Sequence, residues 1–440
     1  MEERRQSVLD HLMSAATPLP GLLPRMFCVR QRFPRPRVTD VASAVARELE
    51  VLLPTARPGA EIGITVGSRG IAGIAAIVKA AVDFLEKRGA RPFIIPAMGS
   101  HGGAVAEGQR HLIGYFGITE ESMGAPIRDR METRSIGKTP EGVEVFLAAT
   151  ALDSDGVLLL NRVKPHTDYK GRIESGLTKI CAIGLGKYEG AEECHGHLYD
   201  IGLGEAIRIA AERIVSSGKI LGGLAILENA YHETARMEAV PVEGLFAREE
   251  GLLEEARGLM GRLPLQELDV LICERMGKNI SGAGLDTNII GRSVYGYFPG
   301  VPWQKGMAAI YRIVVLDLSD ESDGNAVGMG MADFVSERFA RKVRHPVTTI
   351  NAVTACAPSQ GRLPIVARND AEALSMALRT SPRRPGGSLV ALVRDTLDLE
   401  KVCLSEACLP LIREREDLEV LSGPDPLQFD ADGNMVSPLR

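Results

Sequence analysis

Short apolar runs alternate along this chain with segments whose apolar residues recur at helical spacing. Glu61–Val66 is such a run and ends in Gly67-Ser68-Arg69-Gly70. Residues 71–87 then place apolar side chains three and four apart and stop at Gly89, which predicts a helix. A second run, 92–98, ends in Gly99-Ser100-His101-Gly102-Gly103, and a helix is expected over 104–115. A third, Gly156-Val-Leu-Leu-Leu160, has the unbroken apolar character of a buried parallel strand. A helix over 204–216, a strand over 221–227 and a charged helix over 247–262 follow.

Past that helix the same alternation resumes. Strands are expected at 268–273, 313–318, 348–353, 388–393 and 418–421, and helices at 326–343 and 371–378. A further helix over 405–415 would be kinked or shortened by Pro410. This strand–helix grammar predicts an α/β protein of two domains with mainly parallel sheets, 1–262 and 263–440. The tail from Pro424 is polar and turn-rich and is expected on the surface.

Composition narrows the class. At 440 residues, 45% hydrophobic and 25% charged, the chain reads as a soluble globular protein too long for one core. A net charge of −6 and few aromatics give nucleic acid no footing. The charged start, MEERRQSVLDHL, lacks an apolar signal core, and no run is long enough to span a bilayer. A cytoplasmic enzyme or binding protein is the expectation. Seven scattered cysteines, none in a CxxC pair, argue against a disulfide framework or a four-cysteine zinc site. Cys181, Cys273 and Cys403 read as small buried hydrophobes.

Candidate chemistry gathers where the strands of the first half end. Ser68 and Arg69 follow the first strand, His101 the second, and Lys164 and His166 the third. Ligands of open α/β sheets bind beyond the carboxyl ends of strands, so these side chains are expected around one crevice. Two histidines there suit acid–base work near neutral pH, and an arginine suits a carboxylate or phosphate. Residues 161–197 alone hold three of the eight histidines, four lysines and six glycines. Lys179, in the apolar run Gly176-Leu-Thr-Lys-Ile-Cys-Ala-Ile183, either snorkels to water or is held as a low-pKa nucleophile. His195 and His197 form an HxH pair, a metal-ligand spacing if the segment is a strand and uninformative if it is a helix. Gly184-Leu-Gly-Lys187 lacks the spacing of a phosphate loop.

Together these residues resemble the lactate racemase family, whose members carry a nickel-pincer nucleotide in a cleft between two α/β domains. That cofactor is nickel held by pyridinium-3,5-bisthiocarboxylic acid mononucleotide. Gly99-Ser-His101 resembles the family's Gly-Thr-His motif and Lys164-Pro-His166 its Pro-His motif, which makes His101 and His166 the two catalytic acid–bases. Lys179 with its downstream Gly184 resembles the covalent lysine, and His195, sixteen positions on, the nickel ligand, with His197 the runner-up. Ser68, Arg69 and Gly176 are then expected around the cofactor, and Arg69 also at the substrate. In the second half Gly284-Leu-Asp286-Thr-Asn288 resembles a substrate-side motif, and Lys278 is added to Asp286 and Asn288 as a substrate contact.

Two departures stand out. Val66 occupies a place that is acidic in the family, and Gly291 and Val294 fall where it has glutamine and lysine, so Lys278, Asn279 or Arg292 would act instead. The resemblance implies inversion of C2 of a 2-hydroxy acid, lactate-like or a sugar acid, by reversible hydride transfer, after loading by cofactor-making enzymes. Two other functions fit the bare residues: a non-catalytic two-domain protein closing on an anionic small molecule, and a zinc hydrolase using His195 and His197.

Overall fold

The computed structural model describes residues 23–53 and 57–439. The charged amino-terminal stretch lies outside them. The chain forms two compact units, one of them Pro34–Met260. Its sheet has five strands in the order Arg91–Pro96, Glu61–Val66, Gly156–Arg162, Ile220–Glu228 and Thr234–Val240. The first four run parallel and the last antiparallel.

Alternate residues of the central strands feed two cores. Leu158 and Leu160 join Ile62, Ile64 and helices Val41–Leu52 and Ile74–Lys87 on one face. Val157 and Leu159 join Leu177, Ile180 and helices Leu203–Val215 and Leu245–Leu259 on the other. Each such side chain, almost fully buried, contributes roughly 2 kcal/mol of transfer free energy. Burial on both faces is why this strand reads as an unbroken apolar run.

The chain order of this sheet places its switch point between Glu61–Val66 and Gly156–Arg162. From the first of these the chain continues outward to Arg91–Pro96, and from the second it continues the other way to Ile220–Glu228. The two strand ends at that point carry Ser68-Arg69 and Lys164-Pro165-His166. A crevice is expected there on topology alone.

The other unit joins the described residues before Pro34 to those from Gly261 onward. Strands Ile365–Ala367, Phe334–Ser336, Ala309–Val315, Glu267–Cys273 and Val390–Val393 run parallel. Lys401–Ser405, Arg25–Gln31 and Leu418–Val420 extend the sheet antiparallel. Arg25–Gln31 therefore belongs with the second half, although a boundary near residue 262 assigns it to the first. A strand inserted from a distant part of the sequence leaves no local signal of its partner. Cys28 and Cys403 face each other in register and are joined as a disulfide, so Cys403 is not simply a buried hydrophobe.

The α/β class expected from the sequence is the one found, with local exceptions. No single helix covers 326–343. Gly328 adopts a left-handed φ of 94°, Phe334–Ser336 is a strand, and Ser336 caps a new helix, Glu337–Lys342. Residues 348–353 are not a strand but part of helix His345–Thr354, started by Pro346 in its first turn. The β-branched residues suggested a strand, and the proline decided otherwise. Within 405–415 only short turns of helix form, around Pro410. No helix among the described residues is long and apolar enough to cross a membrane.

Candidate functional site

Beyond strand Gly156–Arg162 the chain makes a closed loop. Lys164 and Ser175 bond each other's backbones at its neck, 3.0 and 3.2 Å. Inside it Glu174 is buried, and its carboxylate accepts the His166 peptide N–H at 2.5 Å, Lys170 Nζ at 3.3 Å and Arg257 Nη2 at 2.7 Å. One carboxylate thus fixes the backbone that presents His166. The His166 ring stacks on Tyr169, whose hydroxyl donates to the Glu174 carbonyl at 3.0 Å.

The ring's proton can be placed. The Asp168 peptide N–H donates to His166 Nδ1 at 3.0 Å, so Nδ1 carries no proton and the neutral ring holds it on Nε2. Nε2 lies 2.5 Å from Lys179 Nζ. With Nε2–H donating, the contact is a hydrogen bond when the Lys179 amine is uncharged and offers its lone pair. Burial favours the uncharged form of both groups. Burial, with Lys179, Lys170 and Lys164 nearby, holds His166 well below the usual imidazole range. Burial above all, opposed by Asp168 and helped by Arg69 and Lys164, brings Lys179 down to about 8. Of the two fates open to Lys179, the low-dielectric one is realised.

Lys179 sits on a helical segment, Leu177–Lys179, that passes into a π-helical turn, Ile180–Gly184, and then into helix Lys187–Gly196. Such turns are rare and collect at functional sites. The segment starts on Glu249, a fully buried carboxylate that accepts both the peptide N–H and the hydroxyl of Thr178. Gly176 is needed for that approach, since a Cβ there would lie 1.8 Å from Glu249 Oε1. Its carbonyl accepts from Asn161 Nδ2 at 2.7 Å, which ties the segment back to the strand end.

His195 lies in the last turn of helix Lys187–Gly196. Its Nδ1 donates to the Ala191 carbonyl at 2.6 Å, leaving the lone pair of Nε2 available. Burial lowers its pKa, and its charge and that of Lys179 affect each other. His197, two residues on and so about 200° around the helix, faces elsewhere. Its nitrogens lie 2.7 Å from Asp200 and 3.3 Å from Glu193, and these bonds raise its pKa. The helix therefore separates the HxH pair. The surface pocket beside His197 is lined by Glu189, Glu192, Glu193 and Asp200, on another face of this helix from His195, and its acidity suits no carboxylate ligand.

Arg69 is open to solvent yet surrounded by enough protein that burial lowers its pKa, with Asp168 opposing. Ser68 is half-buried in the same turn. His101 is exposed on the turn after Arg91–Pro96. That turn touches the site helix through Gly99, where a Cβ would meet Ala191 Cβ at 3.3 Å and where φ is +60°.

No protein-family model matches this chain, and no curated protein is similar to it in sequence. Among solved structures, the lactate racemase apoprotein from Thermoanaerobacterium thermosaccharolyticum superposes with a TM-score of 0.50 over 84% of this chain and 94% of its own, at 13% identity. In fold, the chain is similar to a lactate racemase.

The likeness concerns the fold, and the site stands on its own residues. His166, Lys179, His195 and Arg69 come within electrostatic reach of one another or of Asp168. In the other unit the expected substrate residues are engaged locally. Asp286 caps the short helix Thr287–Ile290 and accepts from both the peptide and side-chain nitrogens of Asn288. Lys278 Nζ donates to the Gly282 carbonyl at 2.6 Å, and Asn279 bonds Ser319. Arg292 is buried in an ion pair with Asp333 at 2.7 Å and stacks on Tyr297, so it is not free to hold a ligand. Asp168, Tyr169, Glu174 and Glu249 were not singled out from the sequence. A buried carboxylate looks like any surface acid until its burial is known.

Proposed function

We propose that this chain is an isomerase that inverts C2 of a 2-hydroxy acid with a nickel-pincer nucleotide, and the Lys179 amine, its pKa lowered by burial and its Nζ held against His166, carries the reading. A covalent anchor needs an amine with a lone pair at neutral pH, and a nickel ligand needs a histidine whose second nitrogen is unprotonated. Lys179 and His195 each meet their requirement, so the residues fit the group: Lys179 would hold it covalently and His195 would ligate nickel. When bound, the cofactor supplies a hydride acceptor that no side chain offers. The protein's own part is binding and proton transfer. Arg69 pairs with the substrate carboxylate, while His166 and His101 take up and return the hydroxyl proton. His166 begins neutral, and its accepting lone pair is on Nδ1, so it takes up a proton once the bond from the Asp168 peptide N–H is given up. Asp168 restores a negative charge beside Arg69 and Lys179 where Val66 leaves none.

The test is co-production with the cofactor-making enzymes, followed by intact mass and a screen of chiral 2-hydroxy and aldonic acids. A large adduct is expected on the wild type and none on Lys179→Ala, with racemisation confined to the adduct-bearing protein. The same mass increase in the two proteins after loading would refute the anchor.

A further inference from the structure

Lys187, in the motif that fails as a phosphate loop, is fully buried. Its Nζ donates to the Pro96 carbonyl at 2.6 Å, at the end of strand Arg91–Pro96, and to Gln109 Oε1 at 3.4 Å. Gln109 is also fully buried, and its amide nitrogen donates to the carbonyls of Gly99, 2.8 Å, and His101, 3.2 Å. Three carbonyls of the turn that carries His101 are therefore held by one two-residue network. Lys187 opens the helix that bears His195, and it keeps a left-handed φ of 55°, a conformation costly for a residue with a Cβ. The same helix meets the turn again at Ala191, whose carbonyl accepts the hydrogen bond from His195 Nδ1. Burying an ammonium is expensive, and burial lowers this one to about 8. A methionine would fill the space without that cost.

We propose that Lys187 and Gln109 are positioning residues that fix the His101 turn against the helix bearing His195. The proposal rests on the reading of His101 as an acid–base group. Gln109 is the link: its oxygen takes the lysine and its nitrogen takes the turn. Gln109→Glu keeps the acceptor for Lys187 and removes both donors to the turn, whereas Lys187→Met removes the anchor.

Hydrogen exchange on the full-length protein tests this without activity. In Gln109→Glu, exchange across residues 97–104 should rise at least about tenfold, since two hydrogen bonds are lost. The His101 signal of protein labelled with [13C]histidine, assigned by its absence in His101→Ala, should shift while that of His195 stays. Lys187→Met should do the same, and the double variant little more than the larger single effect, because both act through one contact. In loaded enzyme kcat should fall with KM little changed. Unaltered exchange at 97–104 in a folded Gln109→Glu protein, or a rise spread evenly over the whole unit, overturns the proposal. Should Lys187→Met not fold, Gln109→Glu decides alone. Full turnover in His101→Ala would instead sink the acid–base reading and leave the exchange result standing.

Discussion

The two units present loops beyond the carboxyl ends of parallel strands, and the loops differ in how their polar groups are used. In the first unit Lys179 and His195 are held so that reactive atoms stay within reach: an amine whose pKa burial lowers to about 8, and a lone pair on His195 Nε2. In the second, Asp286 serves Asn288 and its own helix, and Arg292 serves Asp333 and backbone carbonyls. Polar residues at strand ends are common to both. Only where the bonds leave chemistry unspent does the α/β rule about ligand crevices point to a site.

The largest effect should come from the first region. His166→Ala or His101→Ala should lower kcat for racemisation by about 10²–10⁴, the usual worth of a general acid–base, with nickel and the Lys179 adduct retained. Wild-type turnover in both would remove the functional half of the contrast.

Next comes Glu249, beneath Lys179, whose carboxyl burial pushes up to about 7 from an ordinary 4.5 while bonds from Thr178 oppose the rise. For an acid raised in the folded state, its stabilising share is complete below pH 4.5 and lost as pH climbs through 7. Denaturation midpoints of wild type should therefore fall relative to Glu249→Gln across that window, by on the order of 3 kcal/mol, and run parallel above it. Parallel curves throughout would mean that the Glu249 carboxyl titrates alike in the folded and unfolded chains.

Asp286→Ala offers the smallest effect. As a helix cap it should cost about 1 kcal/mol of stability in denaturant melts and leave KM nearly unchanged. A large rise in KM would bring this residue back as a substrate contact and erase the contrast between the two regions.

Much of the first unit was legible because its strands are buried on both faces and its helices keep strict spacing. Glu61–Val66, Gly156–Arg162 and the turns after them lie close to where the pattern put them. The segment 326–343 was misread because its apolar residues suit a helix while its glycines take backbone shapes that a helix cannot. Arg25–Gln31 went unseen because its partners lie nearly four hundred residues away.

At the site, the sequence by itself determined the inventory: histidines, a lysine and an arginine placed at successive strand ends. Residue type and spacing are local properties, so the pattern could show them. The tertiary structure decided what each one is. It turned His197 toward Asp200 and Glu193, left the second nitrogen of His195 available, and lowered the pKa of Lys179 by burying it against a histidine whose other nitrogen was already taken. Those outcomes depend on burial and on partners brought from elsewhere in the chain, and a charge state exists only once its surroundings do.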